Sequence, residues 1–244
     1  MDTEHYRLIC ERDRSHWWYV GMNRMAAGLM KQFWGDNALT QVLDAGCGVG
    51  TALTFLSHRQ RITGLDISIE ALSYCQKREY GRLIQGTTDH LPLADASFDL
   101  VLCLDVLYHQ AVEDDVAVLG EFARVLRPGG KLFLRVSAYN WLRGRHDTAV
   151  RTRFRYSRTF LAQRLLRAGF QLQFISYANT LLFPLAAAKR LLESFAGELV
   201  PDLALPPPLL NQAFSGILGV ETKILTHSPL PFGLSLLALA RKPI

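Results

Sequence analysis

Three glycines fall at alternate positions in Asp44-Ala45-Gly46-Cys47-Gly48-Val49-Gly50-Thr51. Such a run lets the backbone turn sharply and approach a ligand closely at the start of a helix, expected here from about Thr51. From Gly46 the spacing is G-x-G-x-G-T, with Thr51 where the last glycine of the dinucleotide fingerprint G-x-G-x-x-G would stand. No G-K-S or G-K-T triplet marks a phosphate-binding P-loop. Two carboxylates narrow the ligand. Asp44, ending a strand-like run, would repel a pyrophosphate but could accept hydrogen bonds from an ammonium group. Asp66 ends a second run, Gly64-Leu65-Asp66, where a carboxylate suits a ribose diol. A nucleoside with an amino-acid tail fits both.

Other groups could act on a second molecule. His146-Asp147 pairs an imidazole with a carboxylate able to tune it, as a general base or a substrate contact, or else as a surface or helix-capping pair. His109, in Asp105-Val-Leu-Tyr-His109, follows a strand-like run and is read as either a base or a structural group. Eight arginines lie between Arg143 and Arg167; Arg151, Arg153 and Arg155 alternate as they would along one side of an extended segment. They suit a carboxylate or phosphate, or form a solvated basic face.

These groups need a scaffold that brings them to one edge. Strand-like runs occur at Gln41–Asp44, Arg61–Asp66, Arg82–Gln85, Asp99–Leu104, Lys131–Val136, Phe170–Ser176 and Leu234–Arg241. Between them, Ser68 can cap a helix through Lys77, and Val112, Val116, Leu119, Phe122 and Leu126 form an apolar stripe ending before Pro128-Gly129-Gly130. Leu161, Leu165 and Ala168, closed by Gly169, form another. Alternating strands and helices with short joints imply right-handed crossovers, and ligands bind beyond the strands' carboxyl ends. The expected fold is therefore α/β: a Rossmann-like, seven-stranded, mostly parallel sheet with helices on both faces. Its parts are an N-terminal segment (1–40), a core (41–176), a helical insert (177–233) and a last strand (234–244). The insert, holding Leu191, Leu192, Phe195 and Leu199, is a flap on the sheet, a substrate lid, a dimer surface or a lipid-facing surface.

Composition agrees with an ordinary globular chain: 244 residues, 49% hydrophobic and 20% charged. The four cysteines form no C-x-x-C pair, which argues against a structural zinc or a disulfide framework, and no metal is expected. The charged first fourteen residues lack the apolar stretch of a secretory signal, so a cytoplasmic, reduced protein is expected. The uncharged runs 168–188 and 224–240 are interrupted by polar residues, glycine and proline, and read as strands beside other elements rather than as membrane spans. A net charge of +5 favours an anionic partner without specifying it.

Val42-Leu-Asp-Ala-Gly-Cys-Gly-Val-Gly50, Leu91-Pro92 with Ser97-Phe-Asp-Leu-Val101, and Leu126-Arg-Pro-Gly-Gly130 stand in the order of three motifs of the class I S-adenosylmethionine-dependent methyltransferases. The chain resembles that family, in its bacterial type-11-like form, from Val42 to Ser176. The resemblance implies S-adenosylmethionine as cofactor and S-adenosylhomocysteine as product. It places Asp44 near the methionine ammonium, Gly46, Gly48 and Gly50 beneath the cofactor, Asp66 and Ile67 at the ribose, and Leu104 and Asp105 beside the methionine. Where relatives often carry Gly-Asp-Ala before the Leu-Pro pair, this chain has Gly86-Thr87-Thr88-Asp89, so Thr87, Thr88 or Asp89 would serve the adenine. The segment His16-Trp17-Trp18-Tyr19-Val-Gly-Met-Asn-Arg24 resembles a lid preceding the core in the same bacterial group. It implies site contacts from Tyr19 and Arg24, with aromatic faces able to meet a sulfonium, and leaves Trp18 as a substrate contact or, with Trp17, as core packing. The stretch from His146 to Tyr156 resembles an H-D...R-Y pattern of saccharide and natural-product methyltransferases, implying substrate roles for Arg155 and Tyr156.

The function expected is O-methylation of a small or amphiphilic metabolite: a saccharide, natural-product or lipid-linked intermediate in bacterial biosynthesis. Membrane-surface contact or a homodimer would run through 177–233. A nucleic-acid methyltransferase is a first rival, but Leu104-Asp105-Val106-Leu107 replaces the D/N-P-P-Y/F turn of amino-methylating enzymes, and no Pro-Cys pair supplies a thiol nucleophile. A non-catalytic cofactor-binding partner protein is the second.

Overall fold

The computed structural model describes residues 3–35, 40–56, 61–78, 80–196 and 203–244. In chain order the strands are β1 (Gln41–Ala45), β2 (Arg61–Asp66), β3 (Arg82–Gln85), β4 (Phe98–Leu104), β5 (Leu126–Ser137), β6 (Gln171–Ala178) and β7 (Ser235–Arg241). The helices are α1 (Thr3–Arg12), α2 (Trp17–Trp34), α3 (Ile69–Lys77), α4 (Asp115–Val125), α5 (Arg145–Ala149), α6 (Arg158–Arg167), α7 (Phe183–Ala196) and α8 (Pro208–Leu225). They build one seven-stranded sheet in the order β3-β2-β1-β4-β5-β7-β6. All pairings are parallel except those of β7, which runs antiparallel to both β5 and β6.

Alternation along the strands divides the core between two faces. Leu43, Val101, Leu132 and Leu134 pack with Val118, Leu119 and Phe122 of α4 and with Leu161 and Leu165 of α6. The intervening Val42, Leu100, Leu102 and Phe133 pack with Met22, Met25 and Leu29 of α2, Leu72 of α3 and Leu218 of α8. Helix α8 comes close to α2 because residue 21 is glycine: a Cβ there would stand 2.3 Å from Leu218 Cδ1.

Local signals act where expected. Ser68 caps α3 by accepting from the Ala71 amide at 3.2 Å, and Gly169 takes the left-handed conformation after α6. Two local expectations change. The helix expected from Thr51 is a single 3-10 turn, Thr51–Thr54. The Pro128-Gly129-Gly130 turn is absorbed into β5 as an irregularity, since Phe98 pairs with Leu126 and Leu100 with Lys131. Helices α7 and α8 occupy part of the insert; Leu199 lies outside the described residues, as do the side chains of Leu191 and Phe195.

The antiparallel β7 fixes where that insert must lie. An antiparallel neighbour needs no crossover, so the chain leaves β6 and enters β7 at the same edge of the sheet, the carboxyl edge of β1, β2, β4 and β5. Glu221, fully buried on α8, anchors the departure by accepting from the Thr180 and Leu181 amides, each at 2.9 Å.

Candidate active site

A cavity of about 720 Å³ opens along that edge, within the range of small-molecule sites. A smaller depression of about 320 Å³ lies at the strands' opposite ends, beside Gln41, Thr63 and Phe98.

The glycine loop forms one end of the large cavity. Gly46, Gly48 and Gly50 all have positive φ. A Cβ on Gly46 would sit 2.3 Å from Val106 Cγ2, whereas one on Gly48 would meet no atom within 4 Å, so the loop's backbone is bare on that side. Asp66 holds the loop in place: one oxygen accepts from the Gly48 amide at 2.9 Å and the other from the Ser68 amide at 2.9 Å. Burial raises its pKa. Gly46, Gly48, Asp66, Ile67, Thr88 and Leu104 all line the cavity.

Asp44 departs from its expected place. It is buried behind the loop, off the cavity wall, and accepts a hydrogen bond from the Tyr80 hydroxyl. Burial pushes its pKa up to about 6, against the lowering effect of that bond. The Tyr80 ring fills the space beneath Gly50 and Gly64, within 3.0 and 2.9 Å of the Cβ positions those residues lack, so Gly50 too sits behind the wall. Asp44 thus supports the loop through Tyr80.

At the neighbouring strand ends a different pair faces the cavity. Asp105, in the left-handed conformation just after β4, takes Nε of Arg135 at 2.8 Å and Nη2 at 2.7 Å on a single oxygen, Oδ2. Arg135 is 3% exposed, stacks 4.9 Å from the Trp18 ring, and its Nη1 has no partner among the described residues. The pair therefore offers a carboxylate oxygen and a guanidinium N–H side by side.

The N-terminal segment closes this end from above. His16, Trp17, Trp18 and Tyr19 line the cavity, and Asn211 of α8 holds the turn before them by accepting from the Trp17 amide at 2.9 Å and donating to the Ser15 carbonyl at 2.8 Å. Burial raises the Tyr19 pKa, so its hydroxyl stays protonated. Arg24 is on another side of α2, exposed beside Gly219, because five residues turn a helix well past the face that Tyr19 occupies.

His109 and His146 both line the cavity. His109 Nδ1 accepts from the Ala111 amide at 3.1 Å, which leaves the proton of the neutral ring on Nε2 and makes His109 a donor rather than a base. Burial, with nearby positive charge, lowers its pKa. Asp147 does not serve His146: its carboxylate takes Arg155 Nε at 2.8 Å, Arg155 Nη2 at 3.0 Å and the Gly144 amide at 2.8 Å. Burial would raise the Asp147 pKa, but these bonds outweigh it and hold it low.

The three alternate arginines diverge. Arg151 has φ 54°, which breaks the extended run; Arg153 turns to the Glu113 carbonyl and the Phe154 ring; Arg155 lines the cavity. Since neighbours in an extended segment point opposite ways, Tyr156 is buried away from the cavity, its hydroxyl 2.9 Å from Asp115. Just after β3, Gly86, Thr87 and Thr88 line the cavity. Asp89 turns outward to His90, 3.4 Å away, with its pKa lowered first by a hydrogen bond from Thr87.

The opposite wall is apolar. It is made by Leu185, Ala186, Ala188 and Leu192 of α7, by Leu203 and Pro206, and by Phe214 of α8, whose ring meets Trp17 at 5.3 Å. Leu185 and Leu192 are also 58% and 57% exposed, which puts them at the cavity's mouth. Lys189 and Arg190 add positive charge to the same wall.

Two site groups were missed in the sequence. Arg135 interrupts the run Leu132-Phe-Leu-Arg-Val136, and a charge in a buried strand is itself a signal. Asn179, fully buried just after β6, carries no comparable mark.

A glycine loop after β1, an acidic end to β2 and a sheet closed by an antiparallel seventh strand make up the Rossmann-like fold of methyltransferases. Residues 43–134 match a family described as a methyltransferase domain, which supports a class I S-adenosylmethionine-dependent methyltransferase. The malonyl-(acyl-carrier protein) O-methyltransferase of Pectobacterium atrosepticum is 39% identical over 92 residues, 37% of this chain and 36% of that protein. The fatty-acid O-methyltransferase of Mycolicibacterium smegmatis is 38% identical over 96 residues, 37% of this chain and 34% of that protein. The chain thus matches about a third of the length of these curated relatives. Among solved structures, the methyltransferase in complex with the Haloferax volcanii Trm112 methyltransferase activator shares the fold, with a TM-score of 0.64 at 21% identity over 98% of both chains. No helix among the described residues is long and apolar enough to cross a membrane.

Proposed function

We propose that the protein transfers a methyl group from S-adenosylmethionine to an oxygen of a small or amphiphilic acceptor. The observation that carries this reading is the single cavity joining the glycine loop and Asp66 at one end to the apolar wall of α7 and α8 at the other. The residues present suit the cofactor. The bare side of Gly48 admits close approach, Asp66 keeps lone pairs for ribose hydroxyls, and Asp105 with Arg135 matches an amino-acid zwitterion, the open oxygen to the ammonium and Nη1 to the carboxylate. When bound, S-adenosylmethionine supplies an electrophilic methyl carbon on a sulfonium.

The chain's own work is then alignment and dehydration. Trp18 and Tyr19 cover the zwitterion end, and Tyr19 donates without ionising. His109 donates from Nε2, and His146 takes the proton that the acceptor oxygen releases as it gains the methyl group. The exposed leucines at the mouth support an acceptor with an apolar portion.

Calorimetric titration with S-adenosylmethionine and S-adenosylhomocysteine, with NAD as control, tests the cofactor. Micromolar binding of the first two and none of NAD is expected, followed by S-adenosylhomocysteine release when acceptors are screened. Failure of both to bind would reject the reading.

A further inference from the structure

Asn179 is fully buried and is among the residues that line the cavity, and neither Nδ2 nor Oδ1 of its amide has a hydrogen-bond partner among the described residues. Leaving both ends of a buried amide unmet is costly, so such a group marks a place where something else completes it. Its position is built. Asn179 has φ 59°, directly after β6, and Glu221 fixes the next two amides.

Its neighbours are polar as well. Ser137 of β5, Ser235 of β7 and Ala178 of β6 are in register across three adjacent strands, about 4.8 Å apart per strand. Ser137, Ser235 and Asn179 all line the cavity. This floor lies at the β5-β7-β6 end of the sheet, whereas the glycine loop and Asp66 lie at the β1-β2 end.

We propose that this floor is the acceptor's head-group site and that the head group is an uncharged alcohol, such as one hydroxyl of a polyol or saccharide. The inference rests on the methyltransferase reading above and deepens it. An amide needs one partner that accepts and one that donates, whichever way it is turned. A hydroxyl does both, a carboxylate can only accept, and an ammonium can only donate. The relatives named for malonyl-(acyl-carrier protein) and fatty-acid O-methylation do not share this choice, for their named acceptors are carboxylic acids. Of the two arginines beside the floor, Arg135 is held by Asp105 with its remaining Nη1 assigned above to the cofactor carboxylate, and Arg155 is held by Asp147 and the Ala138 carbonyl.

Three probes with one tail and different heads test it: octyl glucoside, octanoate and octylamine, each titrated below micelle-forming concentration into protein loaded with S-adenosylhomocysteine. Octyl glucoside is expected to bind best. Asn179→Gly, which keeps the left-handed backbone, and Asn179→Asp, which keeps the shape but removes the donor, should each weaken its binding at least tenfold. Both should leave S-adenosylhomocysteine affinity within threefold, a check that the fold is intact. Octanoate or octylamine binding as tightly as octyl glucoside, unchanged glucoside affinity in Asn179→Gly, or no binding by any probe to the loaded protein would overturn the proposal. Failure of S-adenosylhomocysteine itself to bind would instead overturn the methyltransferase reading.

Discussion

Replacing Arg135 by Met tests how the amino-acid end of the cofactor is held. The guanidinium is 3% exposed, two of its nitrogens are committed to Asp105, and Nη1 is the unmet donor at the cavity wall. Methionine keeps most of the apolar contact with Trp18 and removes only the charge and the donors. A hydrogen bond to a charged partner contributes about 1.5–3 kcal/mol, so losing the one to the cofactor carboxylate should weaken S-adenosylmethionine binding by about 10- to 150-fold. Methylthioadenosine, which has the nucleoside and no amino acid, should bind wild type and variant within about threefold of each other. Arg135→Lys should fall between, since a point charge replaces a two-sided fork. Calorimetry on the same three proteins reads all of this. The reasoning is refuted by unchanged S-adenosylmethionine affinity in Arg135→Met, or by an equal loss for both ligands, which would mean that the variant has collapsed the lid.

Asp44→Asn should keep the bond from Tyr80 while removing a buried charge. Because the Asp44 pKa rises from 3.8 to about 6 on folding, its contribution favours the folded state below about pH 4 and is lost as pH climbs through 6. The variant's advantage in urea unfolding should therefore grow between pH 4 and 7, to at most about 3 kcal/mol, and a pH-independent difference would exclude this. Glu221→Ala should cost about 2 kcal/mol by orphaning the buried Thr180 amide and the part-buried Leu181 amide, with Glu221→Gln retaining most of that stability; equal melting of all three proteins would contradict it. Gly48→Ala places a Cβ on the bare side of a loop residue with φ 55° and should weaken S-adenosylmethionine binding at least tenfold, read by calorimetry. His146→Ala should lower turnover and spare cofactor affinity, and full activity would remove it as the base.

The sheet was legible because its signals are local and repeated. β2 and β3 fall at their expected residues, and β4 differs by one, because apolar runs bounded by glycine, proline and polar residues leave few alternatives. The cofactor end was legible in residue types but less so in directions. Asp66 lines the cavity and also holds the glycine loop, a bond its sequence position did not announce, and Asp44 faces away from the cavity, since Tyr80, more than thirty residues later, captures its carboxylate. The acceptor end was least legible. Whether Arg155 or Tyr156 faces the cavity depends on the phase of one extended segment, and Arg151 shifts that phase through a left-handed backbone that arginine does not advertise. Asn179 matters for what it lacks, and an unmet hydrogen bond appears only after the chain has folded around it.

The direction of β7 returns the β6–β7 connection to the cavity, where α7 can meet an acceptor and α8 braces the aromatic turn. Had β7 been parallel to β6, the intervening residues would have had to cross a face of the sheet to re-enter at the far edge, and helices there would serve the core. Because β7 is antiparallel, residues 179–234 begin and end at the cavity, where α7 supplies its apolar wall and α8 braces α2 and the aromatic turn before it. Changes in the length or polarity of α7 alter only groups that an acceptor meets, while the glycine loop is held by Asp66, Tyr80 and Asp44 on the other side of β4. On the proposed reading, β1 and β2 hold the cofactor and the β6–β7 connection meets the acceptor, a stretch that the family match over residues 43–134 does not reach.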